Sequence, residues 1–351
     1  MAGTRKTTRR AASDWADLPD DDLLKLRICD LELRIEGTDL EERVRALHGE
    51  LASRGLKRFQ PRVYLGDEWF TPEGVSAISI PFFLAHPRLM ALEKKFMLEV
   101  EGGTPEWCMK LLRHEAGHCF DHAYRLSRRP AWRKIFGNPK DEYDPDSYRP
   151  RRYSKSYVLH LDNWYSQSHP DEDFAETFAV WLTPGLEWEA RYARWAVALE
   201  KLRYIDRVAR RSADRDPRAP GGPLLYSAAH MRSTLDRFYR RRIRENQEDY
   251  PDFFDRDLRK IFDGAPDLPK KDHDAGRFLA RHRRTIVETV SRWTGEKKYA
   301  INALVKRLTA RCGQTDLRLG RTEAETGREV AAYLATLVTH HLCTGHFKRT
   351  V

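Results

Sequence analysis

At 351 residues, with 40% hydrophobic and 33% charged residues, 18 prolines and 20 glycines, the chain suffices for one large domain or two, and its balance excludes a disordered or collagenous protein. The 63 basic against 53 acidic residues leave a net charge of +10, which admits a nucleic-acid partner but does not favour one, because acidic residues interleave nearly all the basic stretches. No run approaches the ~18 apolar residues of a membrane span, and Met1 to Lys6 leads into no apolar signal region, so a cytoplasmic protein with no membrane partner is expected.

The first 13 residues hold four basic residues, no acid and few large apolar ones, and read as a flexible basic arm. Leu24 to Ile35 alternates well enough to be a strand, the alternative being a helix that enters it. Leu40, Val44, Leu47 and Leu51 then recur at helical spacing, which predicts a helix from Leu40 to Ser53. Short apolar runs at Arg62 to Leu65 and Ser76 to Phe82, separated by Thr71-Pro72-Glu73-Gly74, read as two strands of one sheet, with another short strand at Phe96 to Val100. Thr104-Pro105-Glu106 carries an N-cap, a proline in the first helical position and an acid near the positive helix end, so a long helix is expected from Pro105 to about Leu126. Asn138 to Arg152 is rich in Pro, Asp, Tyr and Arg and reads as an irregular loop. A second helix opens at Pro170 with three acids in its first turn and stops at Thr183-Pro184-Gly185; Leu186 to Arg211 looks helical as well. The expected organisation is an arm over 1–13, a catalytic domain over 14–212, a linker over 213–224 and a helical region over 225–351.

Within the first long helix sits His114-Glu115-Ala116-Gly117-His118. Four residues advance a helix by slightly more than one turn, so both imidazoles leave from one face and can grip one zinc ion, with Glu115 beside the open coordination position. Six residues after His118 stands Tyr124, and three after it Asp121, which excludes the arrangement that uses a third histidine there. Downstream, Glu172 and Glu176 stand at i and i+4 on the second helix, while Phe174, Phe178 and Trp181 are left to pack elsewhere. Glu172, near a helix N-terminus that favours its ionised form, is read as the third ligand. Glu176 is placed behind it to accept the outer ring N–H of a ligating histidine.

The pairing of His114-Glu115-x-x-His118 with Glu172-x-x-x-Glu176 resembles the gluzincin metallopeptidases, and Phe174-Ala175-Glu176 resembles the glutamate helix of anthrax lethal factor. Leu112 to His118 and Trp164 to Ala179 are similar to a bacterial family grouped as zinc-binding metallopeptidases. The resemblance implies an α+β fold: a zincin-like catalytic domain with a small mixed sheet and an active-site helix, followed by a mostly α-helical C-terminal region. It implies one Zn2+ per chain on His114, His118 and Glu172, with Glu115 as general base and Glu176 supporting a ligand. It also implies Tyr165, seven residues before Glu172, as donor to the oxyanion, and Asp121 as a supporting or structural acid. The expected activity is hydrolysis of a peptide or protein substrate. A peptide adding as a strand along Ala77 to Ile80 would align the scissile bond with the metal. The alternatives are a nucleic-acid-associated protein with a zinc-protease or structural zinc domain, and a zinc amidase acting on a non-polypeptide amide.

Other features carry weaker signals. Cys29, Cys108, Cys119, Cys312 and Cys343 are odd in number, scattered and without a Cys-x-x-Cys pair, which points to reduced thiols. His122, His160 and His169 are read as histidines that support a ligand, face the substrate or lie on the surface, and not as metal ligands. His340-His341-Leu342-Cys343-Thr344-Gly345-His346 is compatible with a soft metal and equally with a polar helix end. Arg237 to Arg244 interleaves aromatics with arginines as a nucleic-acid surface does, or is the solvated face of a helix whose Phe238 and Tyr239 reach the core.

Overall fold

Helices dominate the computed structural model, which describes residues 15–143, 150–217, 222–245, 255–265, 268–269 and 273–344. The expected basic arm and residues 218–221 of the expected linker lie outside the described residues. In chain order the elements are α1 (Asp20–Leu23), α2 (Asp39–Ser53), β1 (Arg62–Gly66), β2 (Ala77–Pro81), α3 (Pro87–Met97), α4 (Pro105–Tyr124), α5 (Pro130–Phe136) and α6 (Pro170–Leu182). They continue as α7 (Trp188–Arg191), α8 (Ala196–Ser212), α9 (Leu235–Glu245), α10 (Asp255–Ile261), α11 (Ala275–Thr294), α12 (Lys298–Thr315) and α13 (Glu323–Thr344). The chain divides into two compact units, each discontinuous in sequence: Met1–Phe96, Val100–Leu126 and Arg207–Arg244 form one, and Met97–Glu99, Ser127–Asp206 and Glu245–Val351 the other.

In the first unit, α4 packs against α2 and β2. Leu40, Leu47 and Leu51 of α2 and Leu112, Ala116 and Phe120 of α4 are buried, and Phe59 meets Phe120 edge-on at 5.3 Å. Between α2 and α4, Arg113 donates through Nε and a terminal nitrogen to the two carboxylate oxygens of Glu50, both at 2.7 Å, and this two-point contact sets the rotation of α4 about its axis. The sheet is a parallel pair with Val63 opposite Ile78 and Leu65 opposite Ile80. An isolated antiparallel bridge joins Phe70 to Ser79, so the small mixed sheet expected from the sequence reduces to two parallel strands and this bridge.

Two expected strands do not form. Leu24 to Ile35 follows α1 as a turn and then a 3-10 turn at Ile28–Leu31, with Ile28 and Leu31 buried three residues apart. Its backbone is satisfied from far along the chain, Ile28 N–H by Ser233 and Cys29 N–H by Met231, so its alternation serves a buried irregular segment. Phe96 to Val100 is not a strand either. Leu89, Leu92 and Phe96 share one face of α3, which runs to Met97 and stops where Leu98 takes a left-handed φ of 63°.

Helix α9 closes this unit. Phe238 meets Phe82 edge-on at 5.0 Å, and Tyr239 stacks on Phe96 at 4.6 Å. Its arginines are drawn into ion pairs: Arg242 with the buried Glu93 at 2.7 Å, Arg241 with Asp67 at 3.3 Å and Arg240 with Asp236 at 2.9 Å. The solvated-face reading of Arg237 to Arg244 thus holds for the packing of its aromatics.

In the second unit, Phe174 of α6 packs against Trp132 and Phe136 of α5, and Phe136 against Tyr204 of α8. The C-terminal helices have their own core, in which Phe278 and Leu279 of α11, Ile301 and Leu304 of α12 and Leu334 of α13 are buried, with Leu258 of α10. This matches the expected helical character of the C-terminal region.

The pairing of Arg242 with a glutamate that is only 2% exposed gives a direct stability prediction. Removing the guanidinium in Arg242→Met leaves Glu93 charged and buried, and urea unfolding should show a loss of about 3–5 kcal/mol, most of it recovered by adding Glu93→Gln. At the surface, hydrogen bonds from Lys95 and Arg88 hold the Asp20 carboxyl below its ordinary value. A lowered folded-state pKa contributes stability above the unfolded value near 4 and loses it as pH falls through the folded one. Asp20→Asn should therefore cost less than about 1 kcal/mol at pH 7, and the cost should shrink as pH falls below about 4, read from denaturation midpoints across that range.

Candidate metal centre

Helix α4 starts where the sequence signals it. The Thr104 hydroxyl accepts the Trp107 N–H at 3.2 Å, Pro105 takes the first turn, and Arg125 closes the helix in a left-handed conformation with its N–H on the Asp121 carbonyl. Its middle is buried almost all round: His114 is 4% exposed and Glu115 5%, with Ala116, Gly117 and Cys119 beside them. One turn apart, the His114 and His118 rings face each other with their Nε2 atoms 3.1 Å apart and their planes at 75°.

Helix α6 begins at His169, whose Nδ1 accepts the Asp171 N–H at 3.1 Å. Its Nε2 donates to the Asp141 carbonyl at 3.0 Å, so both ring nitrogens are engaged in holding the helix start. Within the first turn, Glu172 and Asp173 are buried. Asp173 accepts from the Lys201 ammonium at 2.6 Å; the same ammonium donates to the Ser156 carbonyl at 2.8 Å and lies 4.0 Å from the centre of the Tyr157 ring. Burial pushes the Asp173 carboxyl up to about 7 against the pull of Lys201. One turn on, Glu176 accepts the Leu161 N–H at 2.8 Å, which anchors the segment leading into α6.

His114, His118 and Glu172 each offer a ligand atom within 4.8 Å of the other two, the one such group of His, Cys, Asp and Glu among the described residues. The donor set fits a zinc ion. Two imidazole nitrogens and one carboxylate oxygen are ordinary zinc donors, and the 3.1 Å between the Nε2 atoms is close to the spacing of two nitrogens each about 2.0–2.1 Å from one tetrahedral ion. Three protein donors leave a fourth position for water or substrate, as catalytic zinc sites do.

Glu115 occupies the next position on α4, its Oε2 accepting the Thr71 hydroxyl at 2.9 Å. Tyr165 sits in a 3-10 stretch, Asp162–Gln167, entered through two consecutive left-handed residues, Asn163 and Trp164; its hydroxyl shares a 2.6 Å hydrogen bond with Tyr143. Asp121 is buried on α4 three residues past His118. His122 is half-buried with its Nδ1 on the Val75 carbonyl at 3.3 Å, and burial holds its pKa below the ordinary histidine value. Of the C-terminal cluster, His340, His341 and Cys343 lie in α13, whereas Gly345 and His346 fall outside the described residues.

Sequence reasoning missed three partners of these groups. Thr71 reads as turn material, Tyr143 as part of an irregular loop and Lys201 as one basic residue on an amphipathic helix. None stands at a spacing that announces a contact with Glu115, Tyr165 or Asp173.

Two imidazoles on one helix and a carboxylate on a second make a donor set that could hold a metal ion. Residues 109–203, which contain all three donors, match the model of a family described as "Putative zinc-binding metallo-peptidase". No curated protein and no solved structure matched the chain.

Zinc added to the metal-free protein should raise its melting temperature, with a stabilisation of about 2.7 kcal/mol when free zinc is 100 times the dissociation constant. His118→Ala, which removes one donor, should abolish that rise in differential scanning fluorimetry without lowering the melting temperature of the metal-free form by a comparable amount.

Proposed function

We propose that this chain is a zinc-dependent metallopeptidase of gluzincin type, with a zincin-like catalytic domain and one zinc ion per chain. The observation that carries the reading is the convergence of His114, His118 and Glu172 within 4.8 Å next to a buried Glu115. A closed structural zinc site has no use for a glutamate in that position, whereas hydrolysis requires a base there.

His114, His118 and Glu172 would hold the zinc ion, which when bound would supply Lewis acidity toward water and a substrate carbonyl. Glu115 takes the proton from the attacking water and later delivers it to the leaving amine, so one carboxylate serves as base and then as acid. Tyr165 donates its phenolic proton to the carbonyl oxygen as that atom gains charge. Lys201 and Asp173 fix the first turn of α6, and with it the backbone that carries Glu172. Burial of the His114 imidazole and of the Glu115 and Glu172 carboxylates, with His118 half-buried, limits competing water and strengthens each of these interactions.

The substrate proposed is a peptide or protein segment. The engagement of Arg240, Arg241 and Arg242 in ion pairs favours this over a nucleic acid as the main partner. A cytoplasmic setting accords with the scattered thiols.

The edge expected to receive the substrate needs correction. Ala77 to Ile80 are buried and not an exposed edge: β1 holds one side of β2, and the Ser79 N–H on the other side is given to the Phe70 carbonyl at 2.9 Å.

A peptide-library digest with the zinc-loaded protein tests the proposal. Glu115→Gln should keep its zinc and lose about 10²–10⁴-fold in kcat, and Tyr165→Phe should lose about 10²-fold, the ordinary cost of one oxyanion donor. A Glu115→Gln protein as active as the parent sinks the mechanism, and salt-sensitive binding of duplex or single strands at micromolar affinity without any peptide cleavage would favour the nucleic-acid reading instead.

A further inference from the structure

The loop between β1 and β2 is ten residues long and contains no helix, although a crossover between parallel strands ordinarily takes a dozen residues or more and a helix. Its path is set by β2. The Phe70 carbonyl accepts the Ser79 N–H at 2.9 Å, and the Ser79 hydroxyl donates to the Glu68 carbonyl at 2.8 Å, so the loop lies along the edge of β2 opposite β1. Gly66 makes this possible, because a Cβ there would stand 2.1 Å from the Ser79 hydroxyl oxygen. The next residue after Phe70 is Thr71, and the loop delivers its hydroxyl to the buried face of α4.

That hydroxyl has one proton and three neighbours: the Glu115 Oε2 at 2.9 Å, the Glu115 main-chain oxygen at 3.2 Å and the Cys119 Sγ at 3.6 Å. The carboxylate oxygen is the nearest and, when ionised, the strongest acceptor, so the proton goes there. The consequences for a general base are specific. A carboxylate swings about its last torsion between broad, nearly equivalent wells, and a donor held by the backbone picks one of them. With Oε2 engaged, Oε1 is the oxygen left to take a proton.

We infer that Thr71 is a positioning residue for the proposed base: its hydroxyl, held in place by the Phe70–Ser79 bridge, fixes the Glu115 carboxylate so that Oε1 alone takes and returns the proton. The inference rests on the peptidase reading for its kinetic consequence, but the contact itself does not need it.

Thr71→Val keeps the shape of the side chain and removes only the hydroxyl; Thr71→Ser keeps the hydroxyl. With the zinc-loaded full chain and a peptide found by the library digest, Thr71→Val should lower kcat about tenfold with KM unchanged, and Thr71→Ser should restore most of it. Zinc affinity, measured by competition with a chromophoric chelator, should stay within about twofold of the parent, a result that loosening of the whole site would not give. A double-mutant cycle on melting temperature of the metal-free chain, combining Thr71→Val with Glu115→Ala, reads the contact without substrate or metal: the two costs should be clearly less than additive. Additive costs, a Thr71→Val kcat within twofold of the parent, or a kcat loss matched by an equal loss of zinc affinity each overturn the assignment. A parent chain that cleaves no peptide overturns the peptidase reading and the kinetic role with it, and the melting cycle then decides the hydrogen bond by itself.

Discussion

Two imidazole nitrogens held 3.1 Å apart on one helix are the constraint around which the rest is arranged. Left to themselves, one ring must donate to the other or two lone pairs must face each other in a buried pocket. A cation shared between them would resolve both, and with the Glu172 carboxylate within 4.8 Å it would also offset the cost of burying a negative charge. The helix bearing these rings is held against rotation and sliding. A capped proline start sets its first turn, the Arg113–Glu50 pair locks its angle against α2, and a left-handed Arg125 ends it.

The second helix is held by polar contacts that are costly if incomplete. Its start is capped by a histidine with both ring nitrogens occupied, and its first turn contains a buried carboxylate facing a buried ammonium. A pair of this kind adds little net stability compared with apolar packing of the same volume, yet removing either member leaves an isolated buried charge. What it supplies is a single arrangement of the Pro170 turn, and therefore a defined path for Glu172. The same logic recurs at Glu93, where Arg242 neutralises a buried acid while packing over Phe83 and Phe238. Part of the basic content thus resides in the fold itself, in ion pairs that hold elements together.

Much of this was legible in the sequence because it is local. The starts of α4 and α6 follow from Thr104-Pro105 and His169-Pro170 with acids in the first turn, and the i, i+4 spacing of His114 and His118 dictates a shared face wherever the helix lies. The two strands were readable from short β-branched and aromatic runs between turn residues. Failures came where the partner is distant. Leu24 to Ile35 alternates like a strand, but its main-chain groups are satisfied by residues 231–235, and no periodicity reports a partner two hundred residues away. Phe96 to Val100 failed for the opposite reason, since the apolar face of α3 extended a helix through residues with strand propensity.

From its order of residues alone, the chain determined which side chains can bind a metal, on which helices they stand and which face they share, because helix geometry and capping act within a few residues. Only the tertiary structure decided that Glu172 meets the histidines, that Thr71 reaches Glu115, that Lys201 neutralises Asp173 and that Ala77 to Ile80 is buried. These contacts join segments tens of residues apart, and their existence depends on how the helices and the β1–β2 loop pack, a property of the whole fold that no local pattern encodes.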